Sequence, residues 1–430
     1  MTLCAVLDDD PTGTQELQDV PVLLRWDDER LRRAADGGRP ALHLMTNIRA
    51  LDGPQAEQVT RAAVEAVRRA LPDARIVLRG DSTLRGHVAE EYRAVRAAGF
   101  GGRAPVLLLV PALPAAGRVT RDGVQWLLRD GDAIPLHATE YARDGGFAYR
   151  SARLLEWADE RSDGEIAAAR GTELPLARLR AAGGADALAE AILAAAAGAP
   201  AACAPDAETL ADLETIAEGL RRAEAHGAEV VVRCAPTFAG VLSGTLAPAP
   251  VPPPHAGSRG VLVACGSYVS LTTRQLADLC RTFGVEPLEL DVRALLGGDG
   301  AAEAEVQRVA AAARDALAQG ELTVVATPRE RPAGATSLEA GARVADGLAR
   351  VVAALHPPPD VVVAKGGITS QVVLERGLGA AEATVVGPVA AGVGQWRVAA
   401  GGRDVAYLVF PGNVGSDHHL TDVVRSVTGG

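Results

Sequence analysis

The sequence is poor in several residue types and patterns, and each shortage argues against a class of protein. Aromatic residues make up only 3% of the 430 residues, so a large core has to be built from Ala, Val and Leu, which suits a layered α/β architecture. The net charge is −11 and no block or stripe of basic residues occurs, so we expect no nucleic-acid partner. No apolar run approaches the roughly 20 residues that span a bilayer, and no membrane partner is expected either.

The cysteines and histidines also carry no sign of a metal centre. The five cysteines form no CxxC pair and several lie inside apolar runs, which predicts reduced, buried thiols in a cytoplasmic protein. His418 and His419 are adjacent, so on one helix they point in different directions, and we assign no metal ligand. The start of the chain has neither a basic segment nor a long apolar one, and we predict no signal peptide.

Familiar catalytic motifs are missing as well. There is no GxxxxGK[ST], so the chain is not a P-loop NTPase, and no GxGxxG follows a strand, which argues against a dinucleotide-binding domain. Neither HExxH nor GxSxG occurs.

What the chain does contain is an alternation of strand-like and helix-like segments. Apolar runs such as 3–7, 41–45 and 105–110 predict buried strands, and amphipathic segments between them predict helices. The fold class is therefore predicted to be α/β, with two domains, each with a mainly parallel sheet flanked by helices, and the active site in the interdomain cleft.

A proline-rich stretch gives the predicted boundary between the domains. Residues 247–259 predict an extended linker, which separates an N-terminal domain of residues 1–246 from a C-terminal domain of residues 260–430. Residues 115–162 are polar and rich in glycine, and we predict irregular structure there, either a lid or a small insertion.

Polar loops follow the strands of the first half at their carboxyl ends, where ligands bind in α/β sheets. Arg holds a carboxylate with two hydrogen bonds, and Asp and Asn bind hydroxyls, so the loops predict a small acid with hydroxyls along its chain. The acidic triplet of residues 8–10 could be a solvated turn. If the triplet is functional, it could hold hydroxyls, accept a proton or bind Mg²⁺. The candidate residues are Asp8, Asp9, Asp10, Asn47, Arg49, Arg79, Asp81, Ser82 and Arg85.

Loops rich in glycine and hydroxyl groups follow the strands of the second half. Such loops expose backbone N–H groups at helix N-termini, where phosphates bind, and glycine lets a phosphate approach the backbone. One such loop is typical of ordinary turns, but two in the same half favour a nucleotide, to which Lys365 could add a positive charge. The candidate residues are Ser267, Ser270, Lys365, Gly366, Gly367, Ile368, Thr369, Gly392 and Gly412.

A domain suited to a hydroxylated acid beside a domain suited to a nucleotide suggests phosphoryl transfer. Taken together, six motifs resemble the four-carbon acid sugar kinase family, which includes 3-oxo-tetronate, D-threonate and D-erythronate kinases. The motifs are DDDPTGT at Asp8, TNIRAL at Thr46, RGDSTLRGH at Arg79, GSYVS at Gly266, KGGITS at Lys365 and PGNVG at Pro411. The resemblance covers nearly the whole chain, which departs from it in the middle, at 117–200, and at Pro11, where many members carry an aromatic residue.

The resemblance implies that the N-terminal domain binds the sugar acid and the C-terminal domain binds ATP. The matching substrate candidates are Asp9, Asp10, Asn47, Arg49, Arg79, Asp81, Ser82 and Arg85, and the matching ATP candidates are Ser267, residues 366–369 and Gly412.

Our hypothesis is therefore an ATP- and Mg²⁺-dependent kinase that phosphorylates a terminal hydroxyl of a four-carbon sugar acid. Arg79 and Arg85, together with Arg49, would hold the carboxylate. One of Asp9, Asp10 or Asp81 would orient the hydroxyl and accept its proton, and Asp10 and Asp81 are the favoured catalytic residues. Two alternatives are kept: a nicotinamide-dependent hydroxy-acid dehydrogenase and a non-catalytic sugar-acid sensor. The identity of the acid, the hydroxyl that is phosphorylated and the formation of a homodimer stay open.

Overall fold

The computed structural model describes residues 2–129, 131–196, 199–329 and 338–429. Its internal contacts divide the chain into two compact units. The first unit contains Met1–Asp9 and Arg25–Leu246, and the second contains Asp10–Leu24 and Ala247–Gly430. Both units are α/β, which confirms the predicted fold class of two domains with mainly parallel sheets and flanking helices.

The strands are numbered along the chain. They are β1 (Cys4–Asp8), β2 (Val20–Leu23), β3 (Ala41–Met45), β4 (Arg75–Arg79), β5 (Val106–Val110), β6 (Arg118–Arg121), β7 (Val124–Arg129), β8 (Asp132–Pro135), β9 (Thr172–Leu174), β10 (Ala202–Pro205), β11 (Val230–Cys234), β12 (Val261–Cys265), β13 (Leu288–Glu289), β14 (Thr323–Ala326), β15 (Val361–Lys365), β16 (Glu382–Ala390), β17 (Val393–Ala400) and β18 (Arg403–Phe410).

The α-helices are numbered in the same way. They are α1 (Asp28–Ala35), α2 (Gly53–Ala70), α3 (Val88–Phe100), α4 (Leu154–Arg161), α5 (Leu176–Leu179), α6 (Gly184–Ala195), α7 (Leu210–Ala225), α8 (Pro236–Ser243), α9 (Ser270–Phe283), α10 (Val292–Leu296), α11 (Asp299–Ala318), α12 (Leu338–Ala353), α13 (Gly367–Val372) and α14 (His419–Thr428). Within the described ranges, no helix combines the length and the apolar character that crossing a membrane requires.

The first unit is built on a seven-stranded sheet in the order β3–β1–β4–β11–β5–β10–β9, in which every neighbouring pair is parallel. The strands β1, β3 and β5 are buried along their whole length, as expected when both faces of a parallel sheet are covered. From β1 the chain adds β3 on one side and β4 on the other. The direction in which strands are added to the sheet therefore changes at β1. Ligands of α/β sheets bind at the carboxyl ends of the strands where this change occurs, so this edge is the expected ligand site.

Residues 115–129 and 131–162 contain regular strands and a helix, so the irregular structure predicted for residues 115–162 is wrong. The strands β6, β7 and β8 form a separate antiparallel sheet, and α4 buries Trp157. These strands are short and half-buried, with Val119 and Leu127 turned inward, so the surrounding glycines and charges hide their alternation in the sequence.

The second unit has a sheet in the order β13–β14–β12–β15–β18–β17–β16–β2. The first five strands are parallel, and β17, β16 and β2 continue the sheet with antiparallel pairs. The β16–β17 hairpin was not predicted, because Gly387, Pro388 and Gly394 interrupt its β-branched residues. Gly392 lies in its turn with a φ of +71°, a conformation that suits glycine.

Residues 10–24 belong to the second unit, although the sequence analysis assigned them to the N-terminal domain. Strand β2 pairs antiparallel with β16, and the indole Nε1 of Trp396 donates a hydrogen bond of 2.9 Å to the hydroxyl of Thr14. The segment is thus held by long-range pairing with residues more than 350 positions away, which a boundary drawn from composition cannot register.

The proline-rich residues 247–259 are also part of the second unit rather than a free linker. The amide of Ala247 donates to the carbonyl of Glu16 at 2.9 Å, and the amide of Val251 donates to the carbonyl of Pro388 at 2.7 Å. The extended backbone that the prolines favour is used here to run alongside other segments and bond to them.

Candidate functional site

Three loops of the first unit lie side by side because the strands before them are neighbours. The strands β3, β1 and β4 are parallel, so their carboxyl ends share one edge of the sheet. After β3, the amide and the hydroxyl of Thr46 donate to the carbonyl of Asp8 at 2.8 and 2.7 Å. The amide of Asp9 donates to the carbonyl of Arg79 at 3.3 Å. These bonds bring the predicted acid-binding loops together at one edge.

Asp8 ends β1 inside a buried ion-pair network. One carboxylate oxygen accepts a bond of 2.5 Å from Nε of Arg79, and the other lies 2.5 Å from Nδ1 of His43. Burial alone would raise the pKa of Asp8, but the interactions with Arg79 and His43 outweigh it and lower the pKa below its usual value. Asp8 is therefore a charged group in the floor of the site rather than a group on its surface.

Two arginines converge on Asp9. Arg49 donates from Nη2 to Oδ1 at 2.6 Å and from Nε to Oδ2 at 3.0 Å, and Nη1 of Arg79 lies 3.0 Å from Oδ1. The side chain of Arg79 is only 2% exposed and also binds Asp8, so its guanidinium is committed to two protein carboxylates. Arg49 keeps 17% of its side-chain surface exposed. Of these two predicted carboxylate-binding arginines, the structure leaves Arg49 the more accessible.

The loop after β4 is organised around Asp81. Its Oδ2 accepts from Nε of Arg85 at 2.6 Å and from the hydroxyl of Thr83, and its Oδ1 accepts from the amide of Thr83 at 3.2 Å. Burial would raise the pKa of Asp81, but the charges of Arg85 and Arg49 hold it well below the usual range. Asp81 is thus a carboxylate at neutral pH and a weak proton acceptor, while Arg85 keeps 24% of its side-chain surface exposed.

The last two acid-binding candidates of the first unit occupy different environments. Asn47 adopts a left-handed backbone conformation (φ 51°) before the 3₁₀ turn Ile48–Ala50, and its side chain does not cap that turn. Ser82 is buried, and its carbonyl accepts a bond of 3.1 Å from the side-chain amide of Gln125 on β7. The side chain of Asn47 is thus not used for capping, whereas Ser82 ties the loop to the antiparallel sheet.

The second unit contains a pocket of about 600 Å³ at the carboxyl ends of β12, β14 and β15. The chain adds β14 on one side of β12 and β15 on the other, so the direction of strand addition changes at β12. Ligands of α/β sheets bind at the carboxyl ends of strands where this change occurs. Its lining residues are Gly266, Ser267, Tyr268, Val269, Arg329, Gly366, Gly367, Ile368 and Thr369. Most of the predicted nucleotide-binding residues therefore line one pocket.

Glycines allow the loops of this pocket to approach one another closely. A Cβ on Gly266 would lie 2.6 Å from the hydroxyl oxygen of Thr369, and a Cβ on Gly412 would lie 2.6 Å from that of Ser267. Gly366 has a φ of +116°, which residues with a side chain rarely adopt. Gly412 itself does not line the pocket but packs against Ser267, which does.

Asp10 lies beside this pocket within the second unit. Its Oδ1 caps the 3₁₀ turn Pro11–Thr14 by accepting from the amide of Thr12 at 2.8 Å and from the Thr12 hydroxyl. A Cβ on Gly367 would lie 3.9 Å from Oδ2 of Asp10, so this carboxylate faces the glycine loop. The acidic triplet is thus divided, since its first two carboxylates bind arginines and His43 of the first unit.

Lys365 does not line the pocket, although it was predicted to bind the nucleotide. Its side chain is fully buried, and Nζ donates to the carbonyl of Pro411 at 2.5 Å and lies 3.9 Å from the centre of the Phe410 ring. Burial without a carboxylate partner among the described residues lowers its pKa to about 7. The structure therefore uses Lys365 to connect the ends of β15 and β18.

Arg329 lines the pocket and was missed by the sequence analysis. Its guanidinium donates to the carbonyl of Ser267 at 2.8 Å and to the hydroxyl of Thr327 at 2.9 Å, which joins the loops after β12 and β14. The signal was present, because Arg329 follows the end of a predicted strand as the other candidates do.

Ser270 and Gly392 lie outside the pocket lining. Ser270 is the exposed first residue of α9, and Gly392 packs in its hairpin turn against Val414, where a Cβ would meet the Val414 side chain at 2.5 Å. Both were predicted to bind the nucleotide, and the structure gives them roles in starting a helix and forming a turn.

Comparisons with known proteins also divide the chain into two parts, although they include residues 10–24 in the first part. Residues 4–242 match a family described as a sugar-binding N-terminal domain, and residues 262–420 match one described as a nucleotide-binding C-terminal domain. No curated protein matches the chain in sequence.

Two crystal structures share the fold. A Salmonella typhimurium LT2 protein, whose description as a tRNA synthase is provisional, is 17% identical with a TM-score of 0.72 over 100% of both chains. The Haemophilus influenzae protein HI1011 is also 17% identical, with a TM-score of 0.64 over 98% of this chain and 99% of that one. Since the sugar-binding match alone spans more than half of the sequence and the nucleotide-binding match follows it, the chain belongs to the four-carbon acid sugar kinase family.

Proposed function

We propose that the protein is an ATP-dependent kinase that phosphorylates a terminal hydroxyl of a small, four-carbon sugar acid. The observation that carries the proposal is the separation of two kinds of loop: arginines and carboxylates at the sheet edge of the first unit, and a glycine-lined pocket in the second. Phosphoryl transfer depends mainly on positioning and charge neutralisation, which such loops can supply. Reduced cysteines suit the cytoplasm as its location.

The lining of the pocket in the second unit supports ATP as the nucleotide. Val269 and Ile368 line it with 43% and 63% of their surfaces exposed, and large aliphatic groups exposed at a pocket can hold the adenine ring between them. Gly366 and Gly367 line the pocket where we place the phosphates, and Arg329 adds a cation to the lining.

Mg²⁺ is expected with ATP, and the residues present fit a metal ion held largely by the nucleotide. Among the described residues no three His, Cys, Asp or Glu side chains are grouped to hold a metal ion. Mg²⁺ at kinase sites usually takes one or two carboxylates and otherwise phosphate oxygens and water. The ion would be held by phosphate oxygens and water and would neutralise phosphate charge, while Asp10, whose Oδ2 faces Gly367, is kept for the proton.

The acid would be bound by the accessible polar groups of the first unit. Arg49 and Arg85 keep exposed surface, so we assign the carboxylate to them, and Asn47 to a hydroxyl of the acid. Arg79 would act indirectly, since it holds Asp9 and through Asp9 the guanidinium of Arg49.

We assign proton acceptance to Asp10 in preference to Asp81. Asp81 already accepts hydrogen bonds from Arg85 and Thr83, and its low pKa makes it a poor acceptor. In phosphoryl transfer the acceptor has mainly to orient the hydroxyl and take its proton late, and a carboxylate beside the phosphate-binding loop suits that task.

A coupled assay of ADP release over a panel of four-carbon sugar acids tests the proposal. We expect at least one acid to raise ADP release well above the rate without acid. If none does, and circular dichroism shows a folded protein, the kinase proposal is wrong. Acid binding by calorimetry without ATP binding would instead indicate a sensor, and NADH fluorescence that changes on binding would indicate the dehydrogenase.

A further inference from the structure

A buried arginine that the sequence analysis did not single out lies beneath the loop of Asp81. Arg233, on β11, is 4% exposed, and its Nε donates to Oε2 of Glu91 on α3 at 2.9 Å. Its guanidinium carbon stands 5.4 Å from the centre of the Trp157 ring. This cation is therefore fixed between a carboxylate and an aromatic ring, directly beside the acid-binding edge of the first unit.

The loop begins at Gly80 and ends at Gly86, and the backbone of both glycines packs against this guanidinium. A Cβ on Gly80 would lie 2.7 Å from Cζ and Nη2 of Arg233, and a Cβ on Gly86 would lie 2.7 Å from the same Nη2. Real Cβ contacts are almost never that short, so a side chain at either position would have to displace the guanidinium, and Gly86 also has a φ of +124°, which favours glycine. The backbone amide of Gly80 also donates a hydrogen bond of 3.0 Å to the carbonyl of Cys234 on β11.

The hydrogen bonds of Arg233 differ from those of an arginine that serves stability alone. Arg75, at the opposite end of β4, pairs with both carboxylate oxygens of Glu224 through Nε and Nη2. Nη2 of Arg233 is buried and has no hydrogen-bond partner among the described residues. A buried charged donor without a partner is costly, so hydrogen bonding does not account for the position of Nη2, which instead packs under the loop.

We propose that Arg233 is a positioning residue of the acid-binding site. Its guanidinium sets the spacing of Gly80 and Gly86, and thereby the placement of Asp81 and Arg85 between them. The proposal rests on the proposed function for the identity of the ligand, but the placement of the loop is a property of the protein without ligand. A charge partner for Glu91 alone could be a lysine, whereas packing between two glycine backbones requires a flat group.

Hydrogen–deuterium exchange of the full-length protein without ligand tests the placement. We expect the amides of residues 81–86 to exchange about tenfold faster in Arg233→Met and in Arg233→Lys than in the wild type. Arg75→Met is the matched control, since it removes an Arg–Glu pair from the other end of β4 and should leave exchange in the loop unchanged. If Arg233→Met does not fold, Arg233→Lys decides the question, because it keeps a cation for Glu91.

Kinetics give the second readout. With the acid most active in the ADP-release assay, we expect kcat/KM for the acid to fall by about 100-fold in Arg233→Lys while the KM for ATP stays the same. Loop exchange at the wild-type rate in both Arg233 variants, or equal acceleration in Arg75→Met, would overturn the proposal. If no acid is turned over by the wild type, the proposed function fails and the exchange experiment still decides the role of Arg233.

Discussion

Replacing Asp10 separates the two tasks that the structure gives this carboxylate. Its Oδ1 caps the 3₁₀ turn by accepting from the amide of Thr12 at 2.8 Å, and its Oδ2 faces Gly367. Asn caps as well as Asp does, whereas loss of a cap to Ala costs about 0.5–2 kcal/mol. We therefore expect Asp10→Ala to be less stable than Asp10→Asn by that amount in urea unfolding.

Turnover should not follow this order of stability. Both variants lack the charged oxygen that we assign to the proton, so both should lose about 100- to 10,000-fold in kcat, the usual contribution of a general base. Calorimetric titration with ATP should show a much smaller loss of affinity than of turnover in Asp10→Asn. Asp52, which caps α2 by accepting from the amide of Gln55 at 2.9 Å, is the control: its Asn and Ala variants should differ in stability in the same way and keep full turnover.

Two results would refute this reasoning. If Asp10→Asn keeps more than about a tenth of the wild-type kcat, Asp10 is not the proton acceptor, since a base contributes at least about 100-fold. If the affinity for ATP and the turnover fall by the same factor, Asp10 serves the structure of the pocket and not the reaction.

Three further predictions follow from buried contacts. Asp8→Asn should lower the free energy of unfolding by about 3–5 kcal/mol, because it breaks a buried pair, whereas Asp28→Asn, at a surface pair with 35% of the Asp28 side chain exposed, should cost under about 1 kcal/mol. Folding lowers the pKa of Asp8, so the stabilisation that its charge provides is present above the unfolded pKa of about 3.9. Urea unfolding at a series of pH values should show that this stabilisation is lost as the pH falls through the lower folded pKa. Arg329→Met should weaken ATP binding about tenfold or more in calorimetry without changing acid binding. Gly80→Ala should cost about 1–3 kcal/mol of unfolding free energy, and little in an Arg233→Ala background, where the clash at 2.7 Å is gone.

Most of the parallel strands of both units could be predicted, because a strand covered on both faces must be a continuous apolar run. Residues 41–45 were predicted as a strand, and β3 has those bounds. The alternation of strands and helices also predicted that polar loops follow the carboxyl ends of the strands. What the pattern could not supply was the pairing of β2 with β16, because sheet partners distant in sequence leave no local signal.

The contacts of the site's cationic side chains could not be predicted from the sequence, for a different reason. Arg49 and Arg79 both follow strands that neighbour β1, and only the burial of Arg79 between Asp8 and Asp9 distinguishes them. Lys365 closes an apolar strand next to a glycine loop, yet its side chain turns to Pro411. In a strand successive side chains alternate between faces, so one position decides whether a cation meets the pocket or the core.

The assignment of residues 10–24 to the second unit has a consequence for how the chain is made. Strand β2 leaves the ribosome early, but its partner β16 begins only at Glu382. At about 5–20 residues per second, the roughly 360 intervening residues take about 20–70 s to synthesise, so the Val-Pro-Val-Leu segment waits that long for β16. A chain ending at Leu246 would never supply that partner, so the sugar-binding part cannot be produced alone by cutting there without leaving this strand incomplete.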